Sequence, residues 1–267
     1  LTHIAEFGFY GYVELKSFIF PSSVETIGGC IFCKCFKLES VIFQEKSKID
    51  SIKDNLFCYC KELKSITIPS SVEQIGNNAF SSCLELKFVS NFENTKLQII
   101  NERTFSNCVK LTEIKLPPQL KVISSGSFEE CHELKSIIIL SNISKIQDSA
   151  FSNCSKLECI QYHGTDEPEV NQTAFIGCKK LDTIYTFLTY SNETFGPFNV
   201  TKTSNLLNKC NFVPKATPKT SQNKSHIKNN EIIYIALSGF AFLAIICAIS
   251  STIIYKRNKD NNLITYL

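Results

Sequence analysis

The stretch Ile75-Gly76-Asn77-Asn78-Ala79-Phe80-Ser81-Ser82-Cys83-Leu84-Glu85-Leu86-Lys87-Phe88-Val89 decides how this chain folds. It reads I-G-x-x-A-F-x-x-C-x-x-L-x-x-V. Looser copies bring the total to eight, marked by Phe9, Phe32, Phe57, Phe80, Phe105, Phe128, Phe151 and Phe175. Successive phenylalanines are 23, 25, 23, 25, 23, 23 and 24 residues apart. A period in that range, sustained over more than half the chain, specifies a solenoid whose coils bury their apolar faces against each other.

Within a coil the pattern predicts one strand and then a turn or short helix. In Leu63-Lys64-Ser65-Ile66-Thr67-Ile68, apolar and polar residues alternate with period two, as in a half-buried strand. Pro69 has no N–H to donate and ends the strand. Val72 and Ile75 start the return limb, and Ala79-Phe80 closes it. Seven cysteines (Cys35, Cys60, Cys83, Cys108, Cys131, Cys154 and Cys178) stand three residues after a repeat phenylalanine, where a small apolar thiol suits a tight corner. The fold class expected is a β-rich solenoid over residues 1–190, with 191–212 as a degenerate ninth coil that caps it. Phe198, 23 residues after Phe175, marks that ninth coil.

Composition narrows the function. A net charge of +3 over 267 residues gives no reason to expect a nucleic-acid partner. The chain has no Met and starts at Leu1, which implies a true N-terminus further upstream. Residues 213–231 are rich in Pro, Thr, Ser, Lys and Asn, cannot build a core, and read as an extended stalk. Residues 232–255 carry no charge. As a helix they would be about 36 Å long against a hydrocarbon core of about 30 Å, with Tyr234 and Tyr255 near the interfaces. That makes them a single membrane span, with residues 256–267 as the tail. Lysines lie on both sides of the span, so charge alone orients it weakly. The N-x-S/T sequons at Asn142, Asn171, Asn192, Asn199 and Asn223 all precede it and favour repeats outside and tail inside. A further sequon at Asn153 abuts Cys154 of the core.

No catalytic constellation is evident, and no cofactor or metal is expected. The four histidines form no metal-spaced set, and no phosphate-binding or nucleophile-elbow motif occurs. Asp166-Glu167-Pro168-Glu169 reads as a solvated acidic loop. Cys33 and Cys58 both follow a repeat phenylalanine directly, so they stack in neighbouring coils, either as a cross-coil disulfide or as two free thiols. Cys30, Cys159 and Cys210 have no evident partners.

The sentence Ile66-Thr67-Ile68-Pro69-Ser70-Ser71-Val72-Glu73-Gln74-Ile75-Gly76-Asn77-Asn78-Ala79-Phe80-Ser81-Ser82-Cys83 resembles the roughly 23-residue leucine-rich repeat of the BspA-like surface proteins. Repeats followed by one membrane span and a short tail are similar to the surface families of trichomonad parasites. The resemblance implies a type I protein of the plasma membrane that adheres, without catalysis, to host cells, extracellular-matrix proteins or other microbes. It carries over no binding residue.

The expected working surface is the outer side of the strands. Residues flanking the central Ile or Val of each strand project away from the core and form columns: Ile19, Ile42, Thr67, Phe88, Ser90, Glu113, Lys115, Ile138, Gln161 and Tyr185. Two other functional classes fit the same layout. One is a receptor whose short tail signals or engages endocytic adaptors. The other is a coat or variable antigen with no dedicated ligand.

Overall fold

A computed structural model describes residues 2–206, 209–210, 256–257 and 264–265. The proposed stalk, the proposed membrane span and Asn223 lie outside the described residues. Among the described residues no helix is long and apolar enough to cross a membrane. Of the tail, only the antiparallel pair Lys256–Arg257 with Ile264–Thr265 is described.

Each coil supplies two strands, where the sequence pattern predicts one. The first is a two-residue strand: β1 (His3–Ile4), β3 (Thr26–Ile27), β5 (Ser51–Ile52), β7 (Gln74–Ile75), β9 (Ile99–Ile100), β11 (Val122–Ile123), β13 (Lys145–Ile146) and β15 (Glu169–Val170). The second is the strand seen in the alternation: β2 (Ser17–Phe20), β4 (Ser40–Phe43), β6 (Ser65–Thr67), β8 (Phe88–Ser90), β10 (Glu113–Lys115), β12 (Ser136–Ile139), β14 (Cys159–Tyr162) and β16 (Thr183–Phe187). A hairpin, β17 (Thr194–Phe195) with β18 (Phe198–Thr203), follows, and β18 adds to β16 in parallel. No α-helix occurs among the described residues; one 3-10 turn spans Phe92–Asn94.

Coil length decides where the parallel ladders hold. Coils spaced by 23 or 24 residues pair in full register, as in Ser65↔Phe88, Ile66↔Val89 and Thr67↔Ser90. At the two 25-residue spacings the ladders fail. Pairing of β4 with β6 shrinks to Ser40↔Ser65, and β3 does not join β5. Between β8 and β10, and between β7 and β9, pairing is lost, so the main sheet splits into β2-β4-β6-β8 and a second sheet that starts at β10. The extra residues of the second long coil form the 3-10 turn. They push Phe92 into the core, edge-on to Phe105 at 5.7 Å.

The turns around the repeat phenylalanine explain why no helix forms there. The residues two before and two after it adopt left-handed backbone: Asn55 and Tyr59 around Phe57, Asn78 and Ser82 around Phe80, Gly126 and Glu130 around Phe128. Such residues end a helical turn almost at once, and Asn and Gly tolerate them best. Gly76 has a different task. A Cβ there would come within 2.5 Å of the Asp54 backbone nitrogen, so the neighbouring coil leaves no room for a side chain.

Two columns hold the coils together. From Phe9 through Phe32, Phe57, Phe80, Phe105, Phe128 and Phe151 to Phe175, the rings stack with centroids 5.2–5.6 Å apart. Phe198 stands edge-on to Phe175 and ends the stack. Beside it runs a ladder of thiols. Each slot cysteine donates its S–H to the carbonyl of the phenylalanine one coil back: Cys35 to Phe9 (3.0 Å), Cys83 to Phe57 (3.2 Å), Cys178 to Phe151 (3.0 Å), and likewise between. Burial pushes all of these thiols but Cys178 up, Cys35 to about 12, so they stay protonated and able to donate; a hydrogen bond with Cys154 lowers Cys178.

Candidate functional site

Strand register places the predicted surface residues in two columns. One column runs Ser17, Ser40, Ser65, Phe88 and, past the break, Glu113, Ser136, Cys159, Thr183. In the other, Ile19 lies beside Ile42, Thr67 beside Ser90, and Lys115, Ile138, Gln161, Tyr185 and Thr201 follow in line. Ile42 and Thr67 are exposed; Ile19, Phe88, Ser90, Glu113, Lys115, Ile138 and Tyr185 are half-buried. All of these face away from the core, as the alternation requires.

Gln161 departs from the expectation. It is only 4% exposed, and its column-mate Ile42 is 54% exposed. The cause is a chain segment that lies over it. Oriented to satisfy both its ends, the Gln161 amide donates to the Leu206 carbonyl at 3.2 Å and accepts from the Cys210 N–H at 3.1 Å. Cys159, two residues earlier on β14, is joined to Cys210 by a disulfide across 51 residues of sequence, Cα to Cα 5.7 Å. The pairing of these two cysteines was invisible to a spacing argument, which detects only residues one coil apart. One signal was available: among the eight residues of its column, Cys159 is the one cysteine.

A groove of about 990 Å³ runs along this face from the break in the sheet to the disulfide. Phe88 and Glu113 flank it at the break, and Tyr185, Lys209 and Cys210 at the other end. Lys87, Lys135 and Lys180 and the acids Glu158 and Asp182 make its rim mixed in charge. Glu158 pairs with Lys180 at 3.4 Å on the exposed rim, where an ion pair adds little stability. The groove therefore offers apolar and aromatic side chains in a polar frame, an arrangement suited to contact with another polypeptide. A second cavity, about 790 Å³, opens at the other ladder's break beside β7 and β9 and is lined largely by polar groups.

The family model for the BspA type leucine rich repeat region (6 copies) matches residues 1–96 and 89–206. The chain belongs to the BspA-type leucine-rich-repeat family. A leucine-rich-repeat protein from T. pallidum is similar in structure, 29% identical over 59% of this chain and 72% of that one, with a TM-score of 0.51. A second, from Bacteroides ovatus, is 24% identical over 70% of this chain, with a TM-score of 0.48. The BspA-type chain spans 59% of the length of that second protein. No curated protein matches it.

The remaining candidate residues of this BspA-type repeat protein sit as follows. Cys33 and Cys58 lie together, hydrogen-bonded to each other, and both are free thiols. The cross-coil disulfide is thus not formed in this structure. Burial raises both thiols, Cys58 to about 12, and favours the protonated pair. Asn142, Asn171 and Asn199 are exposed, and Asn192 is half-buried and tied to Glu167. The acidic loop is occupied by its neighbours: Tyr162 donates to the Asp166 carbonyl, Glu167 takes Asn192 and Thr194, and Glu169 pairs with Lys145. Among the described residues no group of three His, Cys, Asp or Glu could hold a metal ion.

Proposed function

We propose that this chain is a surface protein that binds other polypeptides without catalysis, through the outer face of its main strands. In this reading it adheres to host cells, extracellular matrix or other microbes. Residues 213–231 serve as stalk, 232–255 as a single type I span and 256–267 as a cytoplasmic tail. Such an arrangement is similar to that of trichomonad-type repeat proteins. The observation that carries the proposal is an outward apolar pair: Ile42 is 54% exposed on a regular strand, beside the half-buried Ile19. Burying such a surface against a partner is favourable at about 25 cal/mol per Å². Many copies on one cell would turn weak single contacts into firm attachment.

The test is binding of residues 1–231, as a soluble ectodomain, to host cells and to immobilised matrix proteins. Saturable binding that Ile42→Glu and Tyr185→Glu together reduce at least tenfold supports the reading. Unchanged binding by a folded double variant would move the ligand site elsewhere, and no binding to any surface would leave a coat protein.

A further inference from the structure

We infer that the strand face is a peptide-holding surface closed in cis at its C-terminal end: Leu206, Lys209 and Cys210 occupy the face over β14 and are latched there by the Cys159–Cys210 disulfide. This rests on the proposal that the strand face is the working surface, and it adds how access to that face is controlled.

Three observations converge on it. The first is the pattern of exposure. The repeat puts Gln161 and Cys159 in the same outward slots as Ile42 and Ser40, each two residues from the other on its strand. Ile42 is open, while Gln161 and Cys159 are covered at 4% and 8% exposure. The slot in the repeat is the same, so the difference lies in what rests on it. The second is the chemistry of the contact. Both polar ends of the Gln161 side chain are taken up by main-chain groups, the Leu206 carbonyl and the Cys210 N–H. A side-chain amide that meets one carbonyl and one N–H reads backbone, not sequence, and would hold any suitable polypeptide in the same way. Leu206 is itself 3% exposed, so the contact also buries an apolar side chain. The third is the covalent tether. A disulfide from β14 to Cys210 keeps the segment at a high effective concentration over the face, so even a weak contact stays closed.

Opening the latch is a thiol–disulfide exchange. One thiolate of a dithiol attacks a sulfur of the Cys159–Cys210 bond and displaces the other as a thiolate. The second thiol of the reagent then attacks the mixed disulfide. The products are two protein thiols and the disulfide of the reagent, so two electrons pass from the dithiol to the protein. The slot cysteines lie inside the coils and take no part.

Limited trypsin digestion of the full chain tests this, with cleavage after Lys209 as the readout. Lys209 borders the groove and its N–H is held by the Leu206 carbonyl at 3.3 Å. With the disulfide intact that bond should resist cleavage. Cys210→Ser, or wild type in dithiothreitol, should be cut there about tenfold faster, because proteolysis follows the population of the opened segment. Gln161→Leu with the disulfide intact should give a smaller increase. Cleavage after Lys16 and Lys64, in the coils before the break, should not change. The inference is overturned if Lys209 is cut equally fast with and without the disulfide. It is also overturned if all three sites accelerate together, or if Gln161→Leu has no effect. Digestion reports closure whether or not the face binds a partner. A closed latch with no adhesion would count against the proposed function alone, and adhesion with an unlatched segment would count against the closure alone.

Discussion

The first four coils and the last three carry the same repeat, yet they present their strand faces differently. On β4 and β6, Ser40, Ile42, Ser65 and Thr67 are exposed; on β12 and β14, Ser136, Cys159 and Gln161 are buried. The inward residues do not differ in this way. Phe57, Phe80, Phe128 and Phe151 are all fully buried, and the thiol ladder runs unbroken beside them. A repeat thus secures its core locally, coil on coil, while the state of its surface depends on a segment about two coils further along the chain. Exposure in a solenoid cannot be read from slot identity alone.

The largest expected effect tests whether the two regions share one scaffold. Phe80→Ala, in the open region, and Phe151→Ala, beneath the covered one, should each cost about 3–5 kcal/mol by leaving a cavity in the ring stack. Phe80 lies 5.3 Å from both its ring neighbours and Phe151 5.2 Å, so the two costs should be alike. Denaturant unfolding of both variants checks this. A cost below about 1 kcal/mol for either would place that ring outside the core.

The disulfide should separate the regions. Closing a loop of this length contributes about 2–4 kcal/mol by restricting the unfolded chain. Cys210→Ser should therefore lower the stability of the last coils by that amount and leave the first four nearly untouched, because coils couple mainly to their neighbours. Hydrogen exchange resolved by strand measures it: β14 and β16 should lose protection and β4 and β6 should keep theirs. Equal loss at both ends would mean that the chain unfolds as one unit.

Alkaline pH should act on both regions together. The slot thiols other than Cys178 have folded values pushed above their ordinary 9.0 by burial, with Cys35 at about 12. Below pH 9 both folded and unfolded chains keep these protons, and the thiol contribution is fully present. Above it the unfolded chain releases protons first, so stability falls as pH rises from 9 toward 12. Urea midpoints between pH 7 and pH 11 should fall, and Cys83→Ser should fall less steeply, because a hydroxyl can still donate to the Phe57 carbonyl but does not titrate in this range. A flat profile for the wild type would show that the thiols are not held in the core.

Most of the scaffold was legible because it is written eight times. Alternation gave the strands and their faces, and a phenylalanine and a cysteine in fixed slots gave the ring stack and the thiol column. Asn55, Asn78 and Asn107 even mark left-handed positions, although their meaning needs the backbone to be seen. The short strands β5 and β7 were hidden because two residues show no period. The breaks in the sheet were present as 25-residue spacings, but spacing does not say that pairing fails. The cover over Gln161 was the least legible feature. It occurs once and depends on Cys159 and Cys210, 51 residues apart, so no repetition could reveal it.

The smallest expected effect is the sharpest check on the contrast between open and covered strands. Ile42→Glu replaces an outward side chain on β4, and its cross-strand neighbour Ile19 is the main apolar contact at risk. Losing one exposed cross-strand pair costs a few tenths of a kcal/mol, and surface substitutions generally stay within about 0.5 kcal/mol. Gln161→Glu alters the same column beneath the cover. A carboxylate cannot donate to the Leu206 carbonyl, so that acceptor keeps only the Lys209 N–H and a charge is placed at a covered position. The second substitution should therefore cost more than the first, although the slots are equivalent and the new side chain is the same. If thermal or urea unfolding found the two equal, Gln161 would be as open as Ile42, and the covered face would not persist in solution.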